Sequence, residues 1–393
     1  MKNSPSEIGI DHMALYVPGP YLSLDDLAAA RGVDPNKYSV GIGIRETAIA
    51  TPAEDVVVLA ANAGQRVLKE AGVSPDDVGL LVVGTESAED KSKPTATHVH
   101  ELLDIGKSCR VYDVVHACAG ATYGVLNAID WLHNSTHKYA LVIASDIARY
   151  GKNEAGEPTQ GAGAVAMLLS RQPRLIGLNE ISTFSKNVYD FWKPLDQKYP
   201  LVDGIYSARC YAEAAEACFA GQDLQENAAY IYHTPYPKLV QQTHMQVARM
   251  IAGDVDIKNH FKDKVGPSLQ LAARIGNIYT GSMWLALMSF LEANLSEPAE
   301  DSDGCYLFSY GSGCGAALLR GRLSPAWKEQ VGLFGAEATL DARTRLAFDE
   351  YETLMDIYEN PESISADDLA ATTVNGSFRY LGTEKNKRRY GAA

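Results

Sequence analysis

Cys118 stands where a strand should end and a helix begin. Arg110-Val-Tyr-Asp-Val-Val-His-Ala-Cys118 passes from a β-branched run into the small residues Ala119, Gly120 and Ala121. Val125, Leu126, Ile129 and Leu132 then recur at helical spacing. The pattern places Cys118 at the first turn of a helix entered from a buried strand. Backbone N–H groups and the positive end of the helix dipole converge there, and both favour a thiolate over a thiol. Small neighbours leave room for a substrate and let backbone amides approach a developing oxyanion. A thiol so placed would carry covalent acyl transfer; a buried structural cysteine is the competing reading.

Two other residues have the chemistry to assist it. Glu86 follows the apolar run Val78–Val83 in Gly84-Thr-Glu86, at the strand edge where ligands collect in α/β sheets. Partial burial there would lift its pKa towards that of a usable general base or acid. Glu89 and Asp90 read as solvated loop charges. His233 follows Tyr230-Ile-Tyr and precedes Thr234-Pro-Tyr-Pro237, whose prolines fix the backbone and hold the imidazole in place. A hydrogen-bonded turn histidine is the alternative there. Gly311-Ser-Gly313 after a strand could form an oxyanion loop or a phosphate cradle.

The elements that must position these residues alternate. A short helix opens after Ser23 and stops at Gly32, and a longer one covers Glu54 to Ala71 with Gly72 past its end. Val78–Val83, Tyr139–Ala144 and Gly163–Leu169 read as strands buried on both faces. The second half repeats the pattern: a strand Ala228–Tyr232, helices Lys238–Ala252 and Ile278–Ala293, and a strand Cys305–Ser309. Gln160-Gly-Ala-Gly and Gly311-Ser-Gly-Cys feed strands at similar places, which reads as a weak internal duplication. The expected class is α/β, with a mixed sheet covered by helices. The division falls into residues 1–170, with the cysteine, and 171–393, with the histidine and a polar extension ending in the basic run Lys385–Arg389.

A chain of 393 residues with 46% hydrophobic and 21% charged residues is long enough, and balanced enough, for large buried cores. Its net charge of −14 argues against nucleic acid or an anionic membrane surface as partner. The six cysteines are scattered, without CxxC or Cys/His metal spacing. Free thiols, and an opening Met1–Pro5 without a leader-like apolar core, give a cytoplasmic expectation, with no metal and no nucleotide motif.

Taken in order, Gly84-Thr-Glu86, Ala117-Cys118, Tyr189-Asp-Phe-Trp-Lys-Pro194, His233-Thr-Pro-Tyr, Gly276-Asn277-Ile-Tyr-Thr280 and Phe308-Ser-Tyr-Gly-Ser-Gly313 resemble the 3-hydroxy-3-methylglutaryl-CoA synthase family. Tyr199–Gly204 and Gly156–Val165 are similar to it too, and the match spans about residues 8–320. The resemblance implies a thiolase-like fold, duplicated βα halves in αβαβα layers, and a homodimer. It implies that Cys118 is acetylated by acetyl-CoA, that Glu86 removes a proton from the acetyl methyl, and that His233 polarises the acetoacetyl-CoA carbonyl. It further implies substrate contacts at Thr159, Ser207, Asn277, Tyr310 and Ser312, and coenzyme A contacts at Lys37 and Lys238. Coenzyme A thioesters are then substrates, and no separate cofactor is implied. The chain departs from the family at His116 and Ala119, where the family carries Asn, Gln or Glu and a larger residue. Those two positions put the charge and size of the acyl pocket in question. A relative acting on carrier-protein-bound β-ketoacyl groups, and a non-catalytic scaffold, are the competing readings.

Overall fold

Residues 8–296 and 304–393 are described by a computed structural model of the chain; the opening Met1–Pro5 lies outside the described residues. The first half contributes β1 (Gly9–Tyr16), α1 (Val56–Ala71), β2 (Val78–Gly84), α2 (Thr95–Leu102), β3 (Arg110–Val114), α3 (Gly120–Asn134), β4 (Tyr139–Ala148) and β5 (Gly161–Ser170). The second contributes β6 (Ile176–Ser185), α4 (Gly204–Phe219), β7 (Ala229–Tyr232), α5 (Pro237–Val247), α6 (Ser282–Ala293), β8 (Cys305–Gly311) and β9 (Gly315–Leu323). Local signals explain several boundaries. Asp55 caps α1 by accepting from the Val58 N–H, and Gly72 closes it in the left-handed region. Asp203 caps α4 in the same way through the Tyr206 N–H. The expected helix to Ala252 breaks after Val247 into a 3₁₀ turn over Ala248–Met250.

The sheet order is β7-β8-β9-β6-β1-β5-β4-β2-β3. Read outward from its centre, β1-β5-β4-β2 is matched by β6-β9-β8-β7. The chain order β1, α1, β2, α3, β4, β5 is likewise matched by β6, α4, β7, α6, β8, β9. The parallel pairs β2/β4 and β7/β8, and the antiparallel pairs β4/β5 and β8/β9, also correspond. The halves meet where Gly9 and Ile10 pair with Gly177 and Ile176.

Three cores separate five layers. α3 and α6 are packed between the two halves of the sheet, in a cluster holding Val125 and Leu132 with Trp284, Val82, Val142, Ile231 and Leu319. α1 and α2 cover the outer face of the first half, and α4 and α5 that of the second. This is the αβαβα arrangement that the resemblance implied. Inner strands covered on both faces need continuous apolar runs, which is what Val78–Val83 and Tyr139–Ala144 supply.

The basic run Lys385–Arg389 is largely exposed, but it belongs to a hairpin and its Arg388 is half-buried. Phe378–Glu384 and Lys387–Ala392 form a hairpin against α1. Its Arg388 pairs with Asp55 at 2.7 Å and with Glu89 at 3.1 Å, so Glu89 is not a free loop charge either. A further helix, α7 (Phe348–Glu359), buries Tyr351, whose hydroxyl donates to Glu157 at 3.0 Å.

Candidate active site

The duplication sets the site. Glu86 follows β2 and His233 follows β7, the corresponding strand. Cys118 precedes α3, and Asn277 to Tyr279 precede α6, the corresponding helix. In each pre-helix turn one non-glycine residue has positive φ, Ala117 at 39° and Tyr279 at 43°. Side chains cost energy there, so packing on both sides must hold these turns. The four segments converge where the halves meet.

Cys118 Sγ donates to Glu86 Oε1 at 3.0 Å. Burial lifts the Glu86 carboxyl from its ordinary value to about 8, and the nearby Asp146 carboxylate adds to the lift. Burial also pushes the Cys118 thiol well up, and Glu86 reinforces this. The expected thiolate is therefore corrected: in this site the resting group is a thiol. The helix starts at Gly120 after Ala119, so Cys118 lies just outside its first turn. Burial, reinforced by the adjacent carboxylate, outweighs the dipole. The pair can pass a proton from sulfur to carboxylate when an electrophile arrives.

His233 is buried and neutral, its imidazolium disfavoured by desolvation, with a pKa lowered to about 3. Its backbone is clamped at both ends: its N–H donates to the Phe308 carbonyl at 2.7 Å, and Tyr211 Oη donates to its carbonyl at 2.7 Å. Its buried Nδ1 has no partner among the described residues. A neutral ring on a clamped backbone can orient a carbonyl without competing for a proton.

Cys118 and His233 line one cavity of about 250 Å³, and Thr159, Ser207, Asn277, Tyr310 and Ser312 line it with them. Asn277 Oδ1 accepts from the Tyr279 N–H and from Ser282 Oγ, both at 2.8 Å, which fixes the amide. Val202, Gly204, Ala208, Tyr236 and Leu239 are shared with an open groove of about 1000 Å³. Lys37 and Lys238 do not line the cavity. Lys238 stands in the chain between the lining residues Tyr236 and Leu239, its Nζ donates to Gln241 Oε1, and its backbone N–H donates to the carbonyl of Ile42, three residues beyond the short helix that carries Lys37. Glu86 lines a neighbouring cavity instead, sharing Phe191 and Tyr279 with the first.

Two buried carboxylates that the sequence reading left without a role hold the site together. Asp146 Oδ1 accepts from Thr85 Oγ1 and the Glu86 N–H, both at 2.9 Å, and from Ser87 Oγ at 2.6 Å. Its Oδ2 accepts from Thr280 Oγ1 at 2.5 Å, tying the Glu86 loop to the turn before α6. Asp190 Oδ2 accepts from Tyr310 Oη at 2.7 Å and Ser207 Oγ at 3.3 Å, while its Oδ1 accepts from the Gly313 N–H at 2.9 Å. A signal for Asp146 was available: it is a charge inside a largely apolar strand that is buried from Ala140 to Ala148.

The two departures fall elsewhere than expected. His116 sets its ring edge-on to Tyr123 and against Gly311 and Gly315, where an added Cβ would come within 2.8 and 2.6 Å of the ring. Ala119 backs onto Gly311. Neither lines the cavity, so both support the Ser312 loop from behind. Among the described residues no group of three His, Cys, Asp or Glu is placed to hold a metal, and no helix is long and apolar enough to cross a membrane.

Comparison with known proteins agrees with this geometry. The family model for the hydroxymethylglutaryl-coenzyme A synthase N terminal matches residues 4–173, and that for the C terminal matches 178–260 and 254–371. A hydroxymethylglutaryl-CoA synthase from Enterococcus faecalis is 36% identical over 363 residues, covering 88% of this chain and 91% of that one. A solved structure of MvaS in complex with 3-hydroxy-3-methylglutaryl coenzyme A superposes with a TM-score of 0.88 at 37% identity, covering 98% of this chain and 99% of that one. PksG, an HMG-CoA synthase from Bacillus subtilis, gives 0.87 at 27% identity, covering 98% and 100%. With both halves of the chain matched, and Cys118, paired with Glu86, sharing one cavity with His233, the chain belongs to the hydroxymethylglutaryl-CoA synthase family.

Proposed function

We propose that this protein condenses acetyl-CoA with acetoacetyl-CoA and water to give 3-hydroxy-3-methylglutaryl-CoA and coenzyme A, by way of an acetyl thioester on Cys118. The observation that carries the reading is the 3.0 Å contact between Cys118 Sγ and Glu86 Oε1, beside a cavity that also holds the neutral His233. Glu86 takes the thiol proton as sulfur attacks the acetyl-CoA carbonyl, and coenzyme A leaves with that proton. Glu86 then removes a proton from the acetyl methyl. The enolate attacks the acetoacetyl-CoA carbonyl that His233 orients, and Glu86 returns the proton to the new alkoxide. Backbone amides near Cys118 and Ser312 serve the oxyanions. Water finally releases the product from sulfur. Burial and the nearby Asp146 carboxylate keep Glu86 basic enough for a C–H acid.

Thr159, Ser207, Asn277, Tyr310 and Ser312 surround the acyl groups, and the open groove takes the pantetheine arm. Lys37 and Lys238 meet its phosphates, with Arg209 as the cation lining the groove itself. A cytoplasmic homodimer serving isoprenoid synthesis completes the reading. Its support is the E. faecalis relative and the MvaS structure at 36% and 37% identity, against 27% for PksG.

The test is incubation with acetyl-CoA followed by intact mass measurement. A single acetyl adduct, lost in Cys118→Ala, is expected, with turnover on free acetoacetyl-CoA. No adduct and no released coenzyme A would leave only a scaffold. Turnover confined to a carrier-bound β-ketoacyl group would move the protein to β-branching chemistry.

A further inference from the structure

Glu86 sits on a boundary between two spaces. On one side is Cys118 and the thioester cavity. Behind the carboxylate is a second cavity of about 250 Å³, lined by Ser87, Glu89, Arg149, Lys193, Lys198 and Tyr199. Phe191 and Tyr279 line both, meeting edge to face at 5.8 Å between ring centroids, and so form the partition. The walls differ in kind. The thioester cavity combines apolar residues such as Val202 and Leu239 with uncharged polar groups, whereas the rear one is lined by Glu89, Arg149, Lys193 and Lys198 as well. A polar cavity of this size holds several waters, each with partners.

The reaction proposed above consumes one water, and does so after the acceptor thioester has entered. At that stage the acceptor fills the front cavity and its arm occupies the groove that leads to it. Bulk water is shut out from the front at the step that needs it. The rear cavity ends on the Glu86 carboxylate, whose Oε1 is 3.0 Å from the sulfur bearing the thioester.

We propose that the rear cavity is the water and proton port of this enzyme, feeding Glu86 from the side opposite the thioesters. The inference rests on the thioester chemistry of the preceding section. The water oxygen bonds to the carbonyl carbon of the Cys118 thioester and the C–S bond breaks. Glu86 takes one water proton and returns it to the departing sulfur, restoring the resting Sγ–H···Oε1 pair. The carboxylic acid so formed gives up its proton, which leaves through the same cavity. Lys193 lines the rear cavity and opposes, in part, the lift that burial and Asp146 give the Glu86 carboxyl. The Phe191–Tyr279 partition limits the same water before condensation, when hydrolysis of the acetyl thioester would be wasteful.

Two substitutions test this in opposite directions, and neither residue lines the thioester cavity. Ala88→Phe narrows the port and Tyr199→Ala widens it; Tyr199 is held there by a hydrogen bond to Glu359. Single turnovers quenched at intervals, with intact mass separating free, acetylated and condensed enzyme, resolve the steps. In Ala88→Phe, acetylation and condensation should keep their rates while the condensed thioester accumulates, its hydrolysis roughly tenfold slower. In Tyr199→Ala, acetyl-enzyme without acceptor should hydrolyse roughly tenfold faster. Unchanged hydrolysis in Tyr199→Ala, or an equal fall of all steps in Ala88→Phe, overturns the port. If native enzyme forms no acetyl adduct, the reaction itself falls and the port with it; an adduct with unaltered hydrolysis removes the port alone.

Discussion

Glu86→Gln separates the steps that share this carboxylate. With a pKa of about 8, about one-tenth of Glu86 is ionised at pH 7. The lift from the ordinary carboxylate range brings the base closer to a C–H acid by about 5 kcal/mol. Glutamine removes the base, so proton abstraction from the acetyl methyl should fall by about 10²–10⁴. Acetylation is affected differently. Glu86 accepts the thiol proton, but its charge is also a reason why that thiol is hard to ionise. Glutamine removes both influences and still offers an oxygen to the S–H, so acetylation should stay within about tenfold of native. The assay is rapid quench with labelled acetyl-CoA, counting acetyl-enzyme, then acetoacetyl-CoA, counting condensed product. The pH profile adds a second readout. The ionised form is the base, so native condensation should rise with pH through about 8, and the glutamine variant should lose that rise. An equal loss of acetylation and condensation, or a native profile falling across that range, would refute the assignment.

His233→Ala should leave acetylation intact and raise KM for the acceptor, because the ring is neutral and its role is orientation; steady-state kinetics with each thioester varied in turn distinguish this from general damage. Asp190→Asn should weaken the Tyr310, Ser207 and Gly313 clamp at once, with acyl-thioester KM rising while the melting temperature changes little, read by kinetics beside calorimetry. Asp55→Ala removes the cap of α1 and the partner of Arg388, and should cost about 2–4 kcal/mol in urea unfolding, with the 378–392 hairpin becoming open to protease first.

Much of the architecture was legible because strands covered on both faces demand uninterrupted apolar runs, and helix ends demand caps. Val78–Val83, Tyr139–Ala144, Gly32 and Gly72 announced their elements for those reasons. The residues around Cys118 were legible as a site because small side chains before an amphipathic helix have few structural uses. Local sequence was weakest where partners are distant. Arg388 looked like a solvated tail charge, since its partners Asp55 and Glu89 lie 333 and 299 positions away. His116 looked like a wall of the acyl pocket because it is two residues from Cys118, yet the turn at Ala117 directs its ring behind the Ser312 loop.

By itself, then, the sequence singled out Cys118 as a candidate nucleophile, its candidate partners and the order of the elements, because residue type and local spacing encode hydrophobic period and turn chemistry. Tertiary structure alone decided that Cys118 rests as a thiol. Ionisation depends on what surrounds the sulfur, and Glu86, 32 residues away in the chain, is brought to 3.0 Å only by the sheet. It also decided that Glu86 faces two cavities, since a partition made by Phe191 and Tyr279 exists only once both halves have closed around it.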